Sequence, residues 1–358
     1  MSRWAIRRCR LMGGDCRLDL AQARAVRGRS PCRAMKTSSA PATSAGTEEE
    51  ADIVRVVYAS RARLDGPASQ AMEDIRRSAL RHNRPLGIHT ALLWQSHWFV
   101  QWKEGPRAPL RDLMARVCRD PRHEGLTIVH ASQGPRLLDG PWSMAIADAK
   151  EPQEAIAGRI TALRRAVEAG ERFEPQDVWR CLSMPGRHEP AAPAGGEQYQ
   201  RFLVACTLGT TAFAFVRWLA ACRRGRVEHR RFAGLDLDVA TELVDFRCGA
   251  LALPAVGMAR KGLKLPLTRA LLRGYSHLAL LLCPDEARNL ALLQRVGEAC
   301  ARLPEPPAVV GVGADPRGHA ALHAAAAPLG LAYLAALADP RDCAGTWRAL
   351  RPLIAGAQ

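Results

Sequence analysis

The hydrophobic period of the chain switches from two residues to 3.6 and back, twice over, between 53 and 146, and no other feature limits the fold as tightly. "IVRVVYAS" (53–60) reads as a strand by its β-branched content. Met72, Ile75, Ala79 and Leu80 then fall at i, i+3, i+7 and i+8, one face of a helix that stops near His82-Asn83. "HTALLWQ" and "HWFVQW" are strands joined by a short polar link around Ser96-His97, a hairpin pattern. Pro109 opens a second helix, striped by Leu110, Leu113, Met114 and Val117. "LTIVHAS" and "PWSMAI" complete the order β-α-β-β-α-β-β. That order predicts an α+β ferredoxin-like sandwich, an antiparallel sheet with both helices on one face.

The pattern then changes. Residues 149–172 read as a further helix, whose Ile156, Ile160, Leu163 and Val167 would cap the free face of the sheet or zip to a second subunit. "PGRHEPAAPAGGEQ" (185–198) is a linker by its Pro, Gly and Ala content. Beyond it "FLVAC", "LALLLCP", "AVVGVGA" and "AYLAALA" alternate with helical stretches, as in an α/β domain with a mostly parallel sheet. The expected organisation is a flexible basic tail (1–50), a sandwich (51–148), capping or linking helices (149–184), a linker (185–198) and an α/β domain (199–358).

Charge and cysteine content bound the function. The formal net charge of +16 invites a nucleic-acid role, but the first 34 residues alone hold nine arginines against Asp15 and Asp19. Met35 offers an alternative start that would remove most of that surplus. Aromatic content is 5%, and no helix-turn-helix, zinc finger or stacking platform is present, which argues against nucleic acid. The 11 cysteines form no CxxC pair and no zinc-like spacing, so no metal site is expected. Scattered thiols, no membrane-length apolar run and no secretory leader pattern make a cytoplasmic location the expectation.

Gln101 is an amide set among Phe99, Val100 and Trp102 in "FVQWKEG". In order along 52–146 stand "VVYASRA", "RHNRPLGI", "FVQWKEG", "CRDPRHEG" and "PWSM". Together these resemble a BLUF domain, a flavin-binding blue-light sensor with the same ferredoxin-like order. The resemblance implies FAD as cofactor, Tyr58 and Gln101 as the light-sensing pair, and Asn83 as a hydrogen-bonding partner of the ring. Ser60 and His82 would flank the pocket. Trp142 and Met144 would exchange places near the glutamine. Arg122, with Asp120 and His123, would reach toward the phosphate-bearing tail. The family usually has Ile-Thr-Gly on the second strand, where this chain has Ile88-His89-Thr90.

The residue types suit that role on physical grounds. Oxidised isoalloxazine presents acceptors at N5 and the C4 carbonyl and a donor at N3, and an asparagine amide pairs with both kinds. A glutamine amide, reversed or tautomerised, reorganises its bonds without moving the backbone. Each residue also has an ordinary reading: Tyr58 as half-buried packing, Asn83 as a left-handed helix end, Trp142 and Met144 as strand core, Arg122 and His123 as a solvated loop.

"RFLVACTLGTTAFAFVRWLA" (201–220) has a strand–loop–helix shape that resembles the small-GTPase P-loop. Position by position, Cys206 stands at the first glycine, Thr211 at the second, Ala212 at the lysine and Phe213 at the magnesium-binding hydroxyl, while Gly209 remains. "AVGMAR" (255–260) takes the place of the switch-II motif, and "GVGAD" (311–315) keeps only Asp315 of the base-reading motif, more simply a helix cap. The resemblance runs over about 200–355 in element order, and its missing lysine and hydroxyl predict no hydrolysis. The expectation is therefore a non-enzymatic photoreceptor with a degenerate GTPase-like output that acts on a protein partner or by self-association. The alternatives are a working nucleotide-binding switch and a scaffold that holds no flavin.

Overall fold

The computed structural model describes residues 53–147, 151–183, 200–249 and 251–355. The tail expected over 1–50 and the linker expected over 185–198 lie outside the described residues.

The N-terminal unit follows the predicted order. It runs β1 (Ile53–Ala62), α1 (Ala68–His82), β2 (His89–Gln95), β3 (Trp98–Pro106), α2 (Arg107–Val117), β4 (His123–Gln133) and β5 (Trp142–Ala147). Alternation sorts the side chains by face. Val54, Val56 and Tyr58 of β1 pack with Leu110, Leu113 and Met114 of α2. Leu92, Phe99 and Trp142 pack with Met72 and Ala79 of α1. Val57, Ala59, Val100 and Trp102 point the other way, into a separate core.

Two helix ends depart from expectation. Pro106, not Pro109, is the N-cap of α2. Pro109 falls instead in the first turn, where its missing N–H has no intrahelical acceptor to lose. Asn83 ends α1 in a right-handed conformation (φ −92°), and the left-handed residue is Gly87 (φ 65°), after a 3-10 turn at Arg84–Leu86. The glycine carries the positive φ at little steric cost, so Asn83 keeps its helical backbone.

The helix expected over 149–172 is α3 (Gln153–Glu168), with Pro152 as its N-cap, and it is followed by α4 (Pro175–Ser183). Ile156, Ile160 and Leu163 of α3 join the core beneath the sheet, as do Val178, Trp179 and Leu182 of α4. The stripe thus caps the free face, and Trp179 meets Trp102 at 6.4 Å between ring centroids. A salt bridge from buried Arg159 to half-buried Glu151 ties the start of α3 to its interior, and Gln95 donates to the same Glu151.

The C-terminal unit begins with β6 (Phe202–Cys206) and α5 (Thr211–Arg223). A hairpin that the sequence reading passed over follows, β7 (Val227–Ala233) and β8 (Asp238–Val244). After a two-stranded ribbon, β9 (Arg247–Cys248) with β10 (Leu251–Ala252), come β11 (Ala255–Ala259), α6 (Pro266–Leu272), β12 (His277–Leu281) and α7 (Glu286–Cys300). The chain continues through β13 (Ala308–Gly313), α8 (Pro316–Ala326), β14 (Tyr333–Leu337) and α9 (Cys343–Ala355). β6, β11, β12, β13 and β14 are mutually parallel; the runs of β6, β12 and β13 are buried on both faces, as central parallel strands require, while the edge strand β14 exposes Leu334 and Leu337.

The two units share one sheet. Its order is β14-β13-β12-β6-β11-β8-β7-β5-β2-β3-β1-β4, twelve strands among the described residues. The seam is the antiparallel pair β5·β7, which sets Met144 opposite Ala233 and Ala147 opposite Arg230. One core continues across it, from Val57 and Trp102 through Phe232 and Met258 to Leu293 and Tyr333. Polar contacts reinforce the seam: Asp139 accepts from Arg269 at 2.6 Å and Arg302 at 3.0 Å, and Leu267 N–H donates to Ser143 Oγ at 3.3 Å.

Candidate flavin-binding site

Strand register builds the site. Tyr58 on β1 lies directly opposite Gln101 on β3, and Gln101 lies opposite Leu92 on β2, which in turn faces Met144 on β5. One row therefore crosses the sheet as Met144–Leu92–Gln101–Tyr58. The next row reads Trp142–Thr90–Lys103–Val56. Both rows face α1 and α2, since side chains two apart on a strand share a face.

Above them lies a cavity of about 240 Å³ between the two helices. His82, Asn83, Gln101, Asp120, Arg122 and His123 line it, six of the residues singled out in the sequence. Tyr58, Ser60, Trp142 and Met144 do not. Tyr58 and Ser60 are wholly buried beside it, and Trp142 is in the core with Phe99 and Met72. The sequence reading missed Lys103, whose period-two relation to Gln101 was the available signal, and Arg116, which α2 contributes to the rim.

The polar groups around the cavity are unevenly satisfied. The Tyr58 hydroxyl, Ser60 Oγ and Trp142 Nε1 are buried without a hydrogen-bond partner among the described residues. Buried polar groups of this kind are uncommon and call for a partner. Burial pushes the Tyr58 phenol well above its usual range, with Cys118 and Asp120 adding to the rise, so it stays neutral. Asp120 and Arg122 form a bidentate pair. Burial by itself raises the Asp120 carboxyl, but the bonds and charge of Arg122 outweigh this and hold it below the ordinary value. His123 is held down, chiefly by burial.

Behind the site, Glu104 is fully buried on the opposite face. It accepts from Leu137 N–H at 2.8 Å, Leu138 N–H at 2.9 Å and Trp102 Nε1 at 3.0 Å, which fixes the β4–β5 connection. Gly105 stands so close to Ile88 that an added Cβ would sit 2.8 Å from its side chain, so only glycine permits that approach.

These residues suit a flavin. Two amides with open donors and acceptors (Asn83 and Gln101), a buried phenol in need of a partner and a basic rim match a heteroaromatic ring with a polar edge and an anionic tail. Comparison with known proteins agrees. Residues 53–145 match the family described as "BLUF: Sensors of blue-light using FAD". This segment is a BLUF domain, a flavin-binding module that senses blue light.

Photoactivated adenylate cyclase subunit beta of Euglena gracilis is 28% identical over 129 residues, 35% of this chain and 15% of that protein. Its counterpart in Euglena longa is 31% identical over 108 residues, 29% of this chain and 13% of that protein. The chain thus spans only a small part of the length of these relatives, and the match is confined to it. Among solved structures, "BlrB - a BLUF protein, dark state structure" is 33% identical over 27% of this chain and 73% of that one, at a TM-score of 0.24.

The loop after β6 has a different character. Cys206 ends the strand, Gly209 takes φ +66° and Thr210 is the N-cap of α5. Ala212 is fully buried under β11, and Phe213 is half-buried. Thr207 Oγ1 lies 3.1 Å from the Leu281 carbonyl and 2.9 Å from Asn289 Oδ1, and Arg260 donates to the Thr207 carbonyl, so the loop is tied down internally. Asp315 caps α8, accepting from Arg317 N–H and Gly318 N–H. Among the described residues no group of three or more His, Cys, Asp and Glu could hold a metal ion. No helix of the described residues is long and apolar enough to cross a membrane.

Proposed function

We propose that the chain is a blue-light photoreceptor that holds FAD, uses Tyr58 and Gln101 as its switch, and signals through a C-terminal unit that does not hydrolyse nucleotide. The observation that carries this reading is the direct register pairing of Tyr58 with Gln101 at the floor of a cavity rimmed by Asn83. Bound there, the flavin would supply an excitable acceptor for one electron and one proton.

The rest falls to the chain. Tyr58, neutral and buried, can yield an electron and a proton and take them back. Gln101 can reverse its amide in place, because one end donates and the other accepts. Asn83 fixes the ring edge. Burial of Gln101 beneath the two helices strengthens each bond it makes there, since the local dielectric is low. Arg122, oriented by Asp120, and Arg116 supply positive charge for the tail.

Output by contact is supported by the seam. The strand that carries Trp142 and Met144 is itself hydrogen-bonded to β7, a direct route to the second unit. The order β8-β11-β6-β12-β13-β14, with β7 added outside β8, supports a GTPase-like reading of that unit, in which Ala212 and Phe213 stand where a lysine and a hydroxyl are needed.

Blue illumination of the flavin-loaded protein is expected to shift its visible absorbance reversibly to the red. Gln101→Leu should retain flavin and lose the shift; a variant that still shifts would remove Gln101 from the mechanism. The full chain with GTP and magnesium is expected to release no phosphate above background, and measurable turnover would overturn the non-catalytic half of the reading.

A further inference from the structure

Lys103 is the one residue on the cavity floor whose chemistry the switch does not use. It is 3% exposed, and its neighbours across the sheet are Val56 and Thr90. Its one polar contact among the described residues is long: Nζ to Thr90 Oγ1 at 3.5 Å. No carboxylate among the described residues forms an ion pair with it. A buried ammonium with so little compensation is costly and calls for an acceptor. Among the described residues, β1, β2 and the cap beneath close the other sides, so the cavity that Lys103 lines is where an acceptor can come from.

The position narrows the acceptor. Lys103 follows Gln101 by two residues on one strand, so the two side chains rise about 7 Å apart on the same face. An isoalloxazine offers acceptors at N5, the C4 carbonyl, N1 and the C2 carbonyl, and none on its dimethylbenzene end. With Gln101 and Asn83 engaged around N5, C4 and N3, the unclaimed acceptors are N1 and the C2 carbonyl. Thr90, which replaces a glycine of the family pattern, is the residue that touches the amine. These two positions therefore form one local device.

Resting on the flavin-sensor reading, we propose that Lys103, braced by Thr90, is a flavin-binding residue whose ammonium donates to the N1 and C2-carbonyl side of the ring, so that binding flavin also takes up a proton. In the free protein burial holds this amine down to about 7. A flavin acceptor restores the charged form. Between about pH 7 and the higher value in the complex, the free protein lacks the proton that the complex holds. Binding then draws a proton from solution, and affinity falls as pH rises, by up to ~10-fold per unit. Below pH 7 both states hold the proton and the dependence vanishes.

The other ionisable groups that face the cavity do not mimic this. Asp120 is paired with Arg122, burial raises the Tyr58 phenol and lowers His123, and none of these groups is altered in the Lys103 variants. His82 lies on the exposed rim and is retained in every variant.

The test is calorimetric titration of the full-length apoprotein with FAD, whose pyrophosphate diester does not titrate near neutrality, at pH 6 and pH 8 in buffers of differing ionisation enthalpy. Wild type should show net proton uptake at pH 8, none at pH 6, and a several-fold weaker affinity at pH 8. Lys103→Met and Lys103→Gln should show neither, and Lys103→Arg should bind without pH dependence. Wild type that binds FAD without proton uptake, or a methionine or glutamine variant that keeps it, overturns the proposal even if neither the methionine nor the arginine variant folds. Flavin bound with a normal light-induced shift but no uptake sinks Lys103 alone; failure to bind flavin at all sinks the sensor reading with it.

Discussion

Ser96 and His97 both adopt positive φ, 47° and 62°, in the two-residue connection between β2 and β3. Gln95 pairs directly with Trp98, so the link is a tight hairpin whose right-handed strand twist selects the type I′ pattern. Neither residue is a glycine, and a side chain in that region is strained by about 1–2 kcal/mol. His97→Gly is expected to raise stability by roughly 0.5–1 kcal/mol after the added freedom of the unfolded glycine is counted, measured by urea unfolding. A loss of stability would mean that the edge-on contact of His97 with Trp94 outweighs the strain. The hairpin itself was legible from the alternation of its strands. The strain was not, because it depends on a backbone angle rather than on residue type. At this scale Gln101 and Asn83 could be read from their place in a motif, whereas Lys103 could be read only by following the strand's alternation two residues further.

At the scale of elements, the seam between β5 and β7 decides how the two halves can communicate. β5 has Met144 and Ile146 on the helix side and Ala145 and Ala147 on the other, and all four are paired with β7. A rearrangement that slides or twists β5 must therefore strain the ladder it shares with Arg230, Arg231, Phe232 and Ala233. Hydrogen exchange of the β7 amides is expected to quicken under blue light by ~10-fold or more, with β13 unchanged as a control. Unchanged β7 exchange in a protein that shows the absorbance shift would send the signal elsewhere. The sequence concealed this element because "VEHRRFA" carries three cationic or imidazole side chains in a short strand, a composition that reads as surface loop. Its burial comes from a partner about 85 residues earlier in the chain, and such pairing leaves no local trace.

On the scale of the whole molecule, the order of strands and helices was readable in the N-terminal half and, the β7–β8 hairpin apart, in the parallel strands of the other, because those elements carry their own period and punctuation. Their union was not. A Pro- and Gly-rich stretch between two apolar patterns suggests independent modules, yet the core runs unbroken beneath both. Asp139, which bridges Arg269 and Arg302, stood in an unremarked loop of the sensor half, and its partners follow it by 130 and 163 positions.

A sheet that passes through both halves has two free borders, β14 and β4, where two separate sheets would have four. Cutting the chain between the halves would lay bare the backbone of β5 on one fragment and of β7 on the other, each a template for unwanted self-pairing. The two halves are thus bound together by solubility as well as by their shared core, and neither fragment is a neutral stand-in for its half of the intact protein.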